Sequence, residues 1–146
     1  MNVETPANCT CFNLRKAVRA VTQMYDEALK PSGLRTTQFS LLSVVGRKGP
    51  IGISELAQAL GMDRTTLTRN LKPLTDKGLV DVISSTDRRQ RPVALTSAGE
   101  EALAQALPLW RGVQSRMVDG FGHDRWRGLL GDRHPATRQA QAPRTT

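Results

Sequence analysis

Three leucines, Leu67, Leu71 and Leu74, constrain this chain more than any other feature of it. At about 100° per residue they fall within one narrow stripe, so the segment RTTLTRNLKPLTD reads as a helix that buries that side. Just before it, ISELAQALG carries the same kind of pattern: Ser54 is positioned as an N-cap, Leu56, Ala57 and Leu60 form the apolar face, and Gly61 supplies the permissive backbone of a sharp turn. Asp63 is expected to cap the second helix. Pro73 removes one hydrogen bond from that helix and is expected to bend it near Arg69.

Opposite the leucine stripe lie Thr65, Thr68, Arg69 and Lys72, with Arg64 and Asn70 on the flanks and Thr66 beside them. Such a face suits a major-groove reader, because arginine binds guanine bidentately, hydroxyls reach bases or phosphates, and a thymine methyl packs on threonine. The flanking residues are better placed for phosphates than for bases. The plainer alternative is an amphipathic helix with a solvated polar face, and the residues downstream of the helix decide against it. Gly78 stands where a C′ glycine ends a helix, Leu79 to Ile83 alternates like a half-buried strand, and Val93 and Leu95 return as a second strand. Between the strands Asp87-Arg88-Arg89-Gln90-Arg91 forms a loop tip. Its three arginines repel one another unless a polyanion is near, and a narrow minor groove attracts them. Asp87 reads as the structural partner of that loop. The outline is a winged helix-turn-helix, in a chain that is mainly α with a small β-hairpin wing.

The run LGMDRTTLTRNLKPLTDKGLV, then DRR, then VALTSAGE, resembles the MarR family of bacterial transcriptional regulators, over about Leu14 to Leu130. The resemblance implies a homodimer in which each subunit sets a recognition helix in a major groove of an operator and a wing in the adjacent minor groove, with Arg89 and its neighbour Arg88 as minor-groove residues. It also implies dimerisation helices over residues 11–30 and 97–131 flanking a DNA-binding lobe over 36–95, all within one domain.

The charge agrees. The chain has 146 residues and a formal net charge of +8, enough chain for one ordinary core. Between Arg64 and Arg91 there are 7 basic residues against 3 acidic ones, so half of the surplus sits in a fifth of the chain. A basic patch of this kind fits a polyanion, with affinity that falls as salt rises. No apolar stretch approaches the roughly 18 residues of a membrane span, and no signal sequence opens the chain, so a cytoplasmic protein with reduced thiols and no membrane association is expected.

Upstream of the lobe, Leu14, Val18, Val21, Tyr25 and Ala28 recur at helical spacing until Pro31-Ser32-Gly33 stops the pattern. This stripe is not needed to complete the lobe and is expected to meet a partner subunit or the last helices. Thr36 or Thr37 is expected to cap a scaffold helix burying Phe39, Leu41, Leu42 and Val45, which breaks over Gly46 to Gly52. After the wing, Ser97 and Glu100 have the spacing of a capping box. A long helix comes next, with Leu103, Leu107, Trp110, Met117 and Phe121 as its apolar stripe, kinked at Pro108. A short final helix from Asp124 to Leu130 is anchored by Trp126, Leu129 and Leu130. The sequence departs here from the family, whose last helix is usually longer and apolar: Pro135 disfavours helix at His134, and residues 132–146 are expected to form a disordered basic tail.

Three further groups bear on regulation. Cys9 and Cys11 form a C-x-C pair at the start of the first helix, either as two small apolar residues or as a redox sensor, since a thiol at a helix N-terminus gains thiolate character. Oxidation there would give a sulfenic acid, a mixed disulfide or a link between subunits. Members of the MarR family commonly bind small aromatic or phenolic acids, and by that likeness Tyr25, Phe39 and Trp110 are the candidate pocket residues. His123 and His134 lack metal-binding spacing, so neither metal nor cofactor is expected. There is no phosphate-binding glycine loop, no G-x-S-x-G elbow and no H-E-x-x-H, which speaks against an enzyme. The rival to a specific regulator is a basic protein that binds nucleic acid without sequence preference. Low aromatic content counts against its binding single strands by stacking.

Overall fold

The computed structural model describes residues 5–83 and 91–141, with side chains as far as residue 132. A 3-10 turn at Pro6–Asn8 leads into α1 (Thr10–Leu29). There follow α2 (Thr36–Lys48), β1 (Ile51–Gly52), α3 (Ile53–Leu60), α4 (Arg64–Asp76), β2 (Val80–Val82), β3 (Pro92–Leu95), α5 (Ser97–Phe121) and α6 (His123–Gln141). The chain divides into two compact units, Met1–Trp110 and Arg111–Thr146. The expected class, mainly helical with a small β wing, is the one observed.

The first unit is built on a single core. Leu41, Leu42 and Val45 of α2, Leu56 and Ala57 of α3, Leu67, Leu71 and Leu74 of α4, and Val80 and Val93 of the sheet are buried in one cluster. No polar side chain is buried with them among the described residues. Each fully buried leucine contributes about 1.5–3 kcal/mol, so this cluster dominates the stability of the lobe. The sheet is antiparallel with order β1-β3-β2, and Val93 pairs with both Ile51 and Val82. β1 lies at the end of the segment expected as a break between helices: two residues, one of them glycine, are too short to show alternation, and only pairing with β3 makes them a strand.

Glycines close both helices of the helix-turn-helix. Gly61 and Gly78 adopt φ of 64° and 68°. After each, a paired set of amide bonds caps the helix: Met62 N to Ala57 O at 2.9 Å with Gly61 N to Gln58 O at 3.1 Å, and Leu79 N to Leu74 O at 2.9 Å with Gly78 N to Thr75 O at 2.9 Å. These are Schellman caps, and they need a residue free to take positive φ.

The N-terminal caps differ from expectation except at Asp63. α3 begins at Ile53 behind Gly52, so Ser54 lies inside the helix and caps nothing. α2 begins at Thr36, which rules out Thr36 and Thr37 as caps. The Thr36 amide donates instead to Asp26 Oδ1 of α1 at 2.7 Å, while Gln38 Oε1 accepts from Arg35 N at 3.0 Å. α5 is capped by Thr96, whose hydroxyl accepts from Gly99 N at 3.1 Å, one residue before the expected Ser97 box. At α2 a partner brought by tertiary packing takes the place of the local cap.

The two ends of the chain also correct the sequence reading. In α1 only Tyr25 and Leu29 are buried, whereas Phe12, Leu14 and Val18 stand open at 53%, 49% and 61% exposure. In α5 the buried positions are Gly99, Ala106, Val113 and Val118; Leu103, Leu107, Trp110 and Met117 are half-buried, and Phe121 is exposed. α6 does not end near Leu130 but continues to Gln141, which corrects the expected disorder over residues 132–141; residues 142–146 lie outside the described ones. The alanines, glutamines and arginines of α6 are strong helix formers, and a single proline costs a helix one hydrogen bond and some strain without necessarily ending it. Leu129 and Leu130, expected as anchors, are exposed. No described helix is long and apolar enough to cross a membrane.

Candidate nucleic-acid interface

α4 turns its leucines inward and its charge outward. With Leu67, Leu71 and Leu74 buried, Arg64, Thr65, Thr68, Arg69 and Lys72 all stand exposed on the other side. The helix runs unbroken through Pro73. Its first turn is fixed by Asp63, whose carboxylate accepts from Thr66 N at 2.8 Å and from Thr66 Oγ1 at 2.7 Å. These two bonds, the backbone one first, hold the Asp63 carboxyl below its ordinary pKa.

The face divides into residues that hold the helix and residues left free to touch a ligand. Thr66 is committed to the cap. Asn70 directs its amide to the Met62 sulfur at 3.4 Å and so braces the turn. The Thr68 hydroxyl donates to Arg64 O at 2.8 Å, leaving its methyl and its acceptor lone pairs outward. Lys72 pairs with Asp76 at 2.8 Å, but both side chains are largely exposed, and such a surface pair is worth about 0–1 kcal/mol, little enough for a phosphate to displace. Arg64, Arg69 and Arg91 have no carboxylate partner among the described residues.

An open cleft of about 920 Å³ runs along this face toward the base of the wing. Arg64, Thr65, Thr68, Arg69 and Lys72 line one side and Val82 and Arg91 the other, so α4 and the strand bases form one concave basic surface. Thr75 also lines the cleft and is absent from the sequence-based set, although it continues the spacing of Thr65, Thr68 and Lys72 by one more turn. Among the described residues of the lining, Asp76 is the single carboxylate. Asp87, Arg88 and Arg89 at the wing tip lie outside the described residues.

The other candidate residues are dispersed. Cys9 and Cys11 are both free and exposed, Cys9 at the N-cap of α1 and Cys11 in its first turn. Phe39 and Trp110 come together as a stacked pair with ring centroids 5.7 Å apart, and Phe39 belongs to the core. Tyr25 is buried and its hydroxyl pKa is raised by desolvation. None of these three aromatics lines the clefts along α1 or beside α2. No group of three potential metal ligands occurs among the described residues.

Comparison with known proteins points the same way. Residues 32–90 match the model described as "MarR family". The crystal structure of the Mycobacterium tuberculosis transcriptional regulator MosR in complex with DNA is 42% identical, covering 94% of this chain and 99% of that one, with a TM-score of 0.85. A transcriptional repressor, CouR, bound to a 23-mer DNA duplex, is 26% identical over 94% of this chain and 99% of that one, with a TM-score of 0.78. An uncharacterized HTH-type transcriptional regulator of Bacillus subtilis, YwoH, is 30% identical over 88 residues, which are 60% of this chain and 64% of that protein. The chain thus spans a little under two thirds of the length of this curated relative.

Proposed function

The chain belongs to the MarR family of regulators, and on that premise we propose that it is a sequence-specific, double-stranded-DNA-binding regulator that acts as a homodimeric repressor in the cytoplasm. The observation that carries this reading is the concave face of α4, where Arg64, Arg69 and Arg91 stand without carboxylate partners among the described residues, along one cleft with Thr65, Thr68 and Lys72. Arg69 and the outward part of Thr68 are the base readers, Arg64 and Lys72 hold phosphates, and Arg88, Arg89 and Arg91 enter the minor groove. Thr66 and Asn70 act by fixing the helix. The MosR complex with DNA, at 42% identity, supports the assignment. The open apolar residues of α1, Phe12, Leu14 and Val18, support a second copy as partner.

Release from DNA is assigned to oxidation at Cys9 and Cys11, since both thiols are exposed where an oxidant reaches them. A small aromatic effector is the second reading, carried by the Phe39–Trp110 stack, two aromatic faces that a planar ligand would part.

The test is a selection of genomic duplexes by the purified protein at about 0.15 M salt. A near-palindromic site is expected, at which Arg69→Ala costs about 1–3 kcal/mol and relaxes base preference. Binding to the selected duplex should be lost on mild peroxide treatment and regained with reductant. Failure to enrich any sequence, or an Arg69→Ala protein that binds as the wild type does, would leave a basic surface without a code.

A further inference from the structure

The end of the recognition helix, the base of the wing and the start of α5 meet at one hydroxyl. Thr96 Oγ1 donates to Gly78 O at 2.6 Å and accepts from Gly99 N at 3.1 Å. Gly78 is the glycine that closes α4, and Gly99 lies in the first turn of α5. The Thr96 amide also donates to Leu79 O at 3.2 Å, next to the Val80–Leu95 pair that begins the wing. A threonine hydroxyl has one proton to give, so this bond to Gly78 fixes its rotor and leaves its lone pair aimed at the α5 amide.

Packing at this point is as tight as the backbone allows. A Cβ on Gly99 would fall well inside contact distance of the Leu79 carbonyl oxygen, which is backbone and cannot swing aside. Gly99 is therefore small so that α5 can start against the C-terminus of α4. An ordinary N-cap needs only to accept from the helix it begins. Thr96 does that and also grips the preceding helix across 18 residues of chain.

We propose that Thr96 and Gly99 are positioning residues for operator recognition: they lock the direction in which α5 leaves the recognition helix, and so set the spacing at which two recognition helices are offered to DNA. This rests on the homodimer reading above. In a dimer joined through α5, a change of angle at its first turn moves the recognition helix relative to its partner. Half-sites lie about 34 Å apart, and a misplacement of a few ångströms costs one of them. Loosening the junction should therefore weaken binding to correctly spaced half-sites and leave backbone-only binding as it was.

The experiment compares Thr96→Val, Thr96→Ser and Gly99→Ala with the wild type. Each is measured on the selected duplex, on the same duplex with one base pair inserted between half-sites, and on a scrambled duplex. Melting temperature and sedimentation are recorded for each protein. The wild type should prefer the selected spacing. Thr96→Val should reduce that preference by about 2- to 30-fold, with scrambled-duplex binding unchanged, and Thr96→Ser should restore it. Gly99→Ala should act in the same direction, and if it fails to fold, the valine variant still decides. A Thr96→Val protein that keeps the wild-type spacing preference overturns the proposal. So does one that loses all three duplexes in proportion to its melting temperature, which would make the hydroxyl a structural bond only. A wild type with no spacing preference would instead sink the dimer reading and the proposal with it.

Discussion

α4 and α1 are both amphipathic helices with leucine or valine on one side and arginine on the other, yet they end in opposite situations. The stripe of α4 is fully satisfied within one chain, with Leu67, Leu71 and Leu74 all buried. The N-terminal half of α1 keeps Phe12, Leu14 and Val18 open. An apolar stripe states that a helix needs a partner, and it does not state whose chain supplies it. For α4 the partner is local, the α2, α3 and sheet layer built from the same short stretch of sequence. For α1 it is not found in the first half of the helix at all, and the polar side of α4 is the one left for a ligand.

The comparison can be broken or sharpened by substitution. The largest effect is expected from Leu67→Ala, which opens a cavity in the core and should cost about 2–5 kcal/mol in denaturant unfolding. A loss below about 1 kcal/mol would mean that the α4 stripe is not what holds the lobe. Val18→Asp on α1 should leave the lobe folded, with wild-type helicity by circular dichroism, while the protein sediments as a smaller species. If it sediments as before, the open stripe is not the subunit contact. A smaller change is expected from Asp26→Ala, which removes the carboxylate that α1 lends to the Thr36 amide and should cost about 1 kcal/mol. A melting temperature equal to the wild type would show that water replaces that cap without loss.

The smallest effect concerns Asp63. Its pKa is lowered in the folded state by the bonds from Thr66 N and Thr66 Oγ1. A depressed carboxyl contributes stability that is present above its unfolded pKa and lost as pH falls through the folded value. The wild type should therefore lose stability on acidification through the carboxylate range. Asp63→Asn, which still caps the helix without a charge, should show a shallower acid limb in melting temperature against pH. Identical acid limbs would remove Asp63 from the account.

Some of the basic α4 surface was legible residue by residue because its determinants are local. The leucine spacing of α4, the Asp63 cap and the glycines at 61 and 78 act over five residues or fewer, a little over one helical turn. Thr66 and Asn70 fall with the reading face by sequence, and the structure engages them in holding it, because whether a polar side chain is free depends on what lies within 3.5 Å of it. The aromatic trio rests on helix faces alone. Phe39 and Trp110 do meet, but in the core, since helix crossing and not periodicity decides whether facing rings enclose a space or fill it.

The sequence by itself determined the helix-turn-helix, the wing strands, the sign of the charge and the face on which it sits. Each comes from side-chain period and turn chemistry, which a chain carries wherever it is placed. Only the tertiary structure decided that Ile51 and Gly52 form a strand, that Asp26 caps α2, and that Thr96, the cap of α5, also holds the end of α4. Each of these depends on a hydrogen-bond partner supplied from 10, 18 or more residues away. A backbone amide or a hydroxyl takes whichever partner the packed core brings within reach, and local sequence does not encode which one arrives.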